Sequence, residues 1–108
     1  MGSRPRPFSF EFSRNGRAVT VTVRGEVDRQ SSDVLRRLLL DVVEGQGNLS
    51  VALDLSEMTF IDSSGLSMLL EIHGRAVERG GSFMLQNPRP ATSRIFEIVG
   101  LNRLVESA

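Results

Sequence analysis

Asn15-Gly16 stands between two runs whose side chains alternate in character. Phe8, Phe10 and Phe12 alternate with Ser9 and Glu11; Val19, Val21 and Val23 alternate with Thr20 and Thr22. A period of two is strand periodicity, and Asn-Gly tolerates the positive φ angles of a tight hairpin turn. The chain must therefore begin its fold with two antiparallel strands. The threonines mark a thinly covered face of the second strand.

After Gly25-Glu26-Val27-Asp28 the period changes. Leu35, Leu38, Leu39 and Val42 recur at helical spacing, and Asp28, Ser31 or Ser32 is available as the N-cap. Gly45 and Gly47 end this helix. The run Leu49–Ser56 is short and mostly apolar, as a strand buried on both faces would be. A loop, EMTFID, is expected next. A second helix runs from Ser63 to about Arg79, with Leu66, Leu69, Leu70, His73 and Val77 as its inner stripe. Gly80-Gly81 stops it. SFMLQN is a further strand, and Pro90 opens a third helix that Gly100 closes, with Leu101 packing back onto it. The order β-β-α-β-α-β-α predicts an α/β domain: a mixed sheet of four to five strands with helices against it.

Length and composition narrow the function. With 108 residues the chain holds one core. Thirteen basic and thirteen acidic residues cancel, so no basic field points to nucleic acid. The absence of cysteine removes disulfides, thiolate metal sites and cysteine nucleophiles, and fits a cytoplasmic protein. Residues 1–7 read as a flexible tail, and residues 8–108 as the domain. The tail lacks the apolar stretch of a signal peptide, Arg6 stands where a myristoylation motif needs Ser or Thr, and no run is long enough to span a bilayer.

Asp62-Ser63-Ser64-Gly65 sits at the mouth of the second helix. Helix starts leave backbone N–H groups without partners, and Asp62 or Ser63 can accept from one. A catalytic reading of the serines needs a base. The one histidine, His73, lies nine residues beyond Ser64, a helical rise of roughly 13 Å. Neither a Gly-x-Ser-x-Gly elbow, nor a phosphate-binding Gly-rich loop, nor an acidic cluster at ligand spacing is present. No enzymatic activity, cofactor or metal is expected.

The segments VRGEVD (Val23–Asp28), LDLSEMTFIDSSGLSMLL (Leu53–Leu70) and IVGLNRLV (Ile98–Val105) resemble the STAS domain of bacterial anti-sigma factor antagonists. That resemblance implies a module that binds an anti-sigma factor with GHKL-type serine kinase activity and so releases a sigma factor. It implies phosphorylation at the serine before the glycine, here Ser64, which dissociates the pair, and a serine phosphatase that restores it. ATP and Mg²⁺ belong to the kinase. Asp28, Asp62, Ser63, Ser64 and Gly65 fall at family positions near the partner surface. DRQSSD, Asp28–Asp33, departs from the usual pattern by an Arg and a Gln.

Further candidates come from the residues themselves. Met68 and Ile72 flank the expected inner stripe and would form an apolar contact ridge beyond Ser64 if exposed. Ser67 is a weaker phosphorylation candidate, and Arg36-Arg37 reads as a solvated helix face. The alternative role is a STAS accessory or scaffold subunit of a transporter or stressosome-like complex.

Overall fold

A computed structural model describes residues 7–47 and 49–106. The expected tail lies outside the described residues except for Pro7. Two strands, β1 (Ser9–Asn15) and β2 (Ala18–Val27), form the antiparallel hairpin; its turn is Gly16-Arg17, one residue later than expected, with Asn15 paired to Ala18 and Gly16 at φ 63°. They are followed by α1 (Arg29–Gly45), β3 (Ser50–Ile61), α2 (Ser63–Glu78), β4 (Ser82–Gln86) and α3 (Pro90–Val99). A short 3-10 helix, Leu101–Leu104, completes the order. The sheet runs β1-β2-β3-β4, with β2, β3 and β4 mutually parallel.

Register places Val19, Val51 and Phe83 side by side, and Val21, Leu53 and Leu85 in the next row. Both rows are buried beneath the helices. Their neighbours on the other face, Thr20-Ala52-Met84 and Thr22-Asp54-Gln86, remain half-exposed. The core is therefore one-sided. Leu35, Leu39 and Val43 from α1, Met68, Leu69, Ile72 and Ala76 from α2, and Phe96 from α3 close it. Truncating Leu39 or Leu69 to alanine would cost about 2–5 kcal/mol.

The strand β1 overhangs this layer. Phe10 and Phe12 pair with Val23 and Val21 on the core-facing side, yet stay 37% and 48% exposed.

Three further sequence expectations are corrected. The stretch EMTFID is not a loop, because β3 continues through it to Ile61. Register shifts between Thr22 and Arg24, and between Gly25 and Glu26, carry β2 alongside this extension. The alternation slips phase there, which hid the strand. Second, the buried stripe of α2 is Gly65, Met68, Leu69, Ile72 and Ala76. Leu70 and Val77, expected inside, are 43% and 56% exposed. Third, Met68 and Ile72 form no surface ridge. They are 4% and 0% exposed because the helix is rotated about its axis relative to the expected stripe.

The third helix ends as read. Gly100 takes the left-handed conformation at φ 82°, and Leu101 is fully buried behind it. The Glu106 N–H then donates to the Leu85 carbonyl at 2.8 Å, tying the end of the domain to β4. No helix of the described residues is long and apolar enough to cross a membrane.

Candidate functional site

Strands β2 and β3 end side by side, at Val27 and Ile61. Each is followed by an aspartate that opens a helix. The Asp62 N–H donates to the Val27 carbonyl at 3.1 Å, so the two helix entrances are stitched together. Asp28, Asp62, Ser63, Ser64 and Gly65 are thereby brought to one end of the sheet, beyond its two central strands.

At the first entrance Asp28 is the N-cap of α1. Its Oδ1 accepts from the Ser31 N–H at 3.0 Å, and its own N–H donates to Ser31 Oγ at 2.8 Å. Ser31 Oγ in turn donates to the Glu26 carbonyl at 2.8 Å. This reciprocal capping box answers which of the available residues caps the helix. The Ser31 backbone N–H, followed by its hydroxyl, holds the Asp28 carboxyl below the ordinary aspartate range.

At the second entrance Asp62 caps α2 by accepting from the Gly65 N–H at 3.1 Å. Ser63 and Ser64 occupy the first two helical positions. Ser63 is exposed and Ser64 is half-buried. Gly65 is buried, and a Cβ added there would lie 2.5 Å from Ile61 Cγ1 and 3.1 Å from Val27 Cγ1. Its role is close packing. The helix start rests on the ends of both strands, and only the missing side chain permits it.

Ser64 opens onto a groove of about 660 Å³ between the N-terminal halves of α1 and α2. Arg29, Ser32 and Arg36 line one wall; Ser64, Ser67 and Glu71 line the other. The groove is closed at its far end by an ion pair that sequence reasoning missed. The Arg36 guanidinium donates from Nε and Nη2 to the Glu71 carboxylate, each at 2.7 Å. Arg36 is therefore paired across the helices while its side chain stays partly exposed, whereas Arg37 reaches only Asp33 on its own helix, at 3.1 Å. The hydrogen bonds from Arg36 draw the Glu71 carboxyl below its ordinary range, and Glu71 in turn holds the Arg36 guanidinium above its own. Further along, Arg75 pairs with Glu44, and Arg79 Nη2 donates to the Glu44 carbonyl at 3.2 Å. Complementary charges on two successive amphipathic helices, Arg36 and Glu44 on one and Glu71, Arg75 and Arg79 on the other, were the available clue.

His73 lies two residues beyond Glu71 on α2, and its Nδ1 is buried without a hydrogen-bond partner among the described residues. Among the described residues no three His, Asp or Glu side chains gather as a metal site would require. The arrangement offers two capped helix N-termini, an accessible hydroxyl on one, and cations on the wall opposite. It suits recognition of an anion or of a partner surface.

Comparisons with known proteins agree with this geometry. The chain is 28% identical over 96 residues to the anti-sigma-B factor antagonist of Bacillus subtilis, covering 89% of this chain and 86% of that one. It superimposes with a TM-score of 0.81 on an anti-sigma factor antagonist from Mycobacterium paratuberculosis, at 25% identity, covering 95% of this chain and 86% of that one. The fold also matches the anti-sigma factor antagonist SpoIIAA in its unphosphorylated form, with a TM-score of 0.83 at 22% identity, over 93% of this chain and 88% of that one. A family model described as "Mlab, STAS domain" matches residues 10–106, so with its sheet, its helices and its aspartate-capped entrance the chain belongs to the STAS-domain family.

Proposed function

We propose that this chain is an anti-sigma factor antagonist: it binds an anti-sigma factor of the serine kinase class, frees the sigma factor, and is switched off by phosphorylation of Ser64. The observation that carries the reading is the placement of Ser64. Ser64 is half-buried and lines an open groove, on a helix start fixed by the Asp62 cap and by Gly65 packed on Ile61 and Val27. The names of the relatives support the same role.

In the transfer step Ser64 Oγ takes the γ-phosphoryl group of ATP, loses its proton to the medium, and ADP leaves. The product carries about −1.5 to −2 charge. Within its own chain that charge faces the positive end of α2, which favours it, so the phosphoprotein stays folded. Against a docked partner the same group must lose water, and it stands beside the Asp62 carboxylate. A penalty of about 3 kcal/mol weakens the complex more than a hundredfold. A serine phosphatase then hydrolyses the ester and restores the free hydroxyl. Asp28, Asp62 and Ser63 frame the docking edge; Gly65 supports it from below.

The test uses a purified kinase-type anti-sigma factor with ATP and Mg²⁺. Phosphate is expected on the peptide containing Ser64 and is lost in Ser64→Ala. Affinity measured by calorimetry should fall at least a hundredfold for protein carrying phosphoserine at 64. Equal affinity for the unmodified protein, the phosphoserine form and Ser64→Glu overturns the proposal.

A further inference from the structure

The two helices that flank the groove run parallel, because each follows one of two adjacent parallel strands and returns over the same face. The bidentate pair between Arg36 and Glu71 marks their register. Moving two helical turns toward both N-termini, about 7 residues, brings Arg29 opposite Ser64. Ser32 falls opposite Ser67 in the same register. The groove agrees with this count, since all four residues line it.

The charges around the groove are otherwise engaged. Arg36 is held by Glu71, and Asp33 by Arg37. Asp28 and Asp62 accept from the helix N–H groups that they cap. Among the described residues the Arg29 guanidinium has no ion-pair or hydrogen-bond partner. Arg29 is also one of the residues by which this chain departs from the pattern of the family it resembles. It is a charge facing the acceptor hydroxyl with nothing yet to bind.

We propose that Arg29 is the intramolecular receiver of phosphate on Ser64, clasping it across the α1–α2 groove. This rests on the assignment of Ser64 as the phosphorylated residue and names how the modified state is held. A guanidinium fork matches two phosphate oxygens, and such charge-assisted bonds are the stronger kind. Modification then does two things at once. It adds a dianion at the helix mouth, and it withdraws the Arg29 cation from the surface offered to a partner.

The experiment places phosphoserine at position 64 by ribosomal incorporation, with no kinase or partner present. The second ionisation of the phosphate is followed by phosphorus NMR in the wild-type chain, Arg29→Gln, Arg29→Lys and Arg36→Gln. A neighbouring cation favours the dianion, so the wild-type phosphate should titrate about half a unit or more below that of Arg29→Gln. Arg29→Lys should recover part of the shift, and Arg36→Gln should leave it in place. Superimposable curves for the wild type and Arg29→Gln overturn the proposal, as does a shift that disappears with Arg36→Gln and survives Arg29→Gln. Circular dichroism of each variant verifies that the helices are intact. Because the phosphate is installed without an enzyme, a negative result leaves the switch at Ser64 standing. Conversely, a partner indifferent to phosphoserine would refute the switch without altering the titration.

Discussion

The two helix entrances at the end of the central strands use the same opening residue and then diverge. Asp28 and Asp62 have nearly identical backbone angles, φ −95°, ψ −167° and φ −102°, ψ −175°, and each accepts from the N–H three residues on. At that third position the first entrance has Ser31, whose hydroxyl closes a capping box and reaches back to Glu26. The second has Gly65, which contributes no side chain and lets the helix settle onto Ile61 and Val27. Between cap and third residue stand Arg29 and Gln30 in one case, and two serines in the other. One entrance is secured by hydrogen bonds, the other by contact. Securing the second from beneath leaves both of its hydroxyls uncommitted to the cap, which is the condition for using one of them as an acceptor.

Breaking the contact should have the largest effect. Gly65→Ala drives a methyl group to 2.5 Å from Ile61 Cγ1, and overpacking of this kind costs about 1–3 kcal/mol. Urea denaturation would measure it, and in the Ile61→Ala background, which lacks the obstructing Cγ1 and Cδ1, Gly65→Ala should cost less than it does in the wild type. Next comes the hydrogen-bonded entrance. Asp28→Ala removes the carboxylate that accepts from both the Ser31 N–H and the Ser31 hydroxyl, and a drop in Tm of about 4–8 °C is expected by calorimetry. Asp62→Ala removes a cap with no reciprocal partner, so a smaller loss of about 2–4 °C is expected. An equal or larger loss would mean that the second entrance is not held chiefly by packing.

The smallest effect is in acid. The Asp28 carboxyl binds its proton less tightly in the folded chain than in the unfolded one, because the Ser31 N–H and hydroxyl favour the ionised form. Its contribution is complete above the ordinary aspartate value and is lost as pH falls through the lower folded value. The stability gap between the wild type and Asp28→Asn should therefore narrow below about pH 4, while the gap between Gly65→Ala and the wild type stays level. Denaturation at a series of pH values distinguishes the two behaviours.

Much of this was legible in the sequence for local reasons. The hairpin follows from Asn15-Gly16 between alternating runs, and the aspartate caps from acids placed just before helical periodicity. The left-handed cap at Gly100 likewise needs no distant partner. What escaped the sequence depends on contacts between elements. The extension of β3 was hidden because the register shifts opposite Arg24 and Gly25 break the alternation that marks a strand. The rotation of α2 was misread because its buried centre is set partly by Gly65 and Ala76. Small residues carry little apolar weight in a periodicity argument, although they permit the closest approach. Leu70 and Val77 drew the expected stripe toward themselves and lie exposed. The pairing of Arg36 with Glu71 required knowing that the two helices lie parallel.

The seating of Gly65 on two strand ends has a consequence for how an enzyme would meet Ser64. With no slack beneath it, the Ser64 hydroxyl cannot be drawn out into an extended substrate cleft without peeling the helix from the sheet. On the proposed switch, a kinase or phosphatase acting on this serine would have to be moulded to the intact domain and read its contour more than its order of residues. A synthetic peptide spanning Ser64 would then be a poor substitute for the whole molecule.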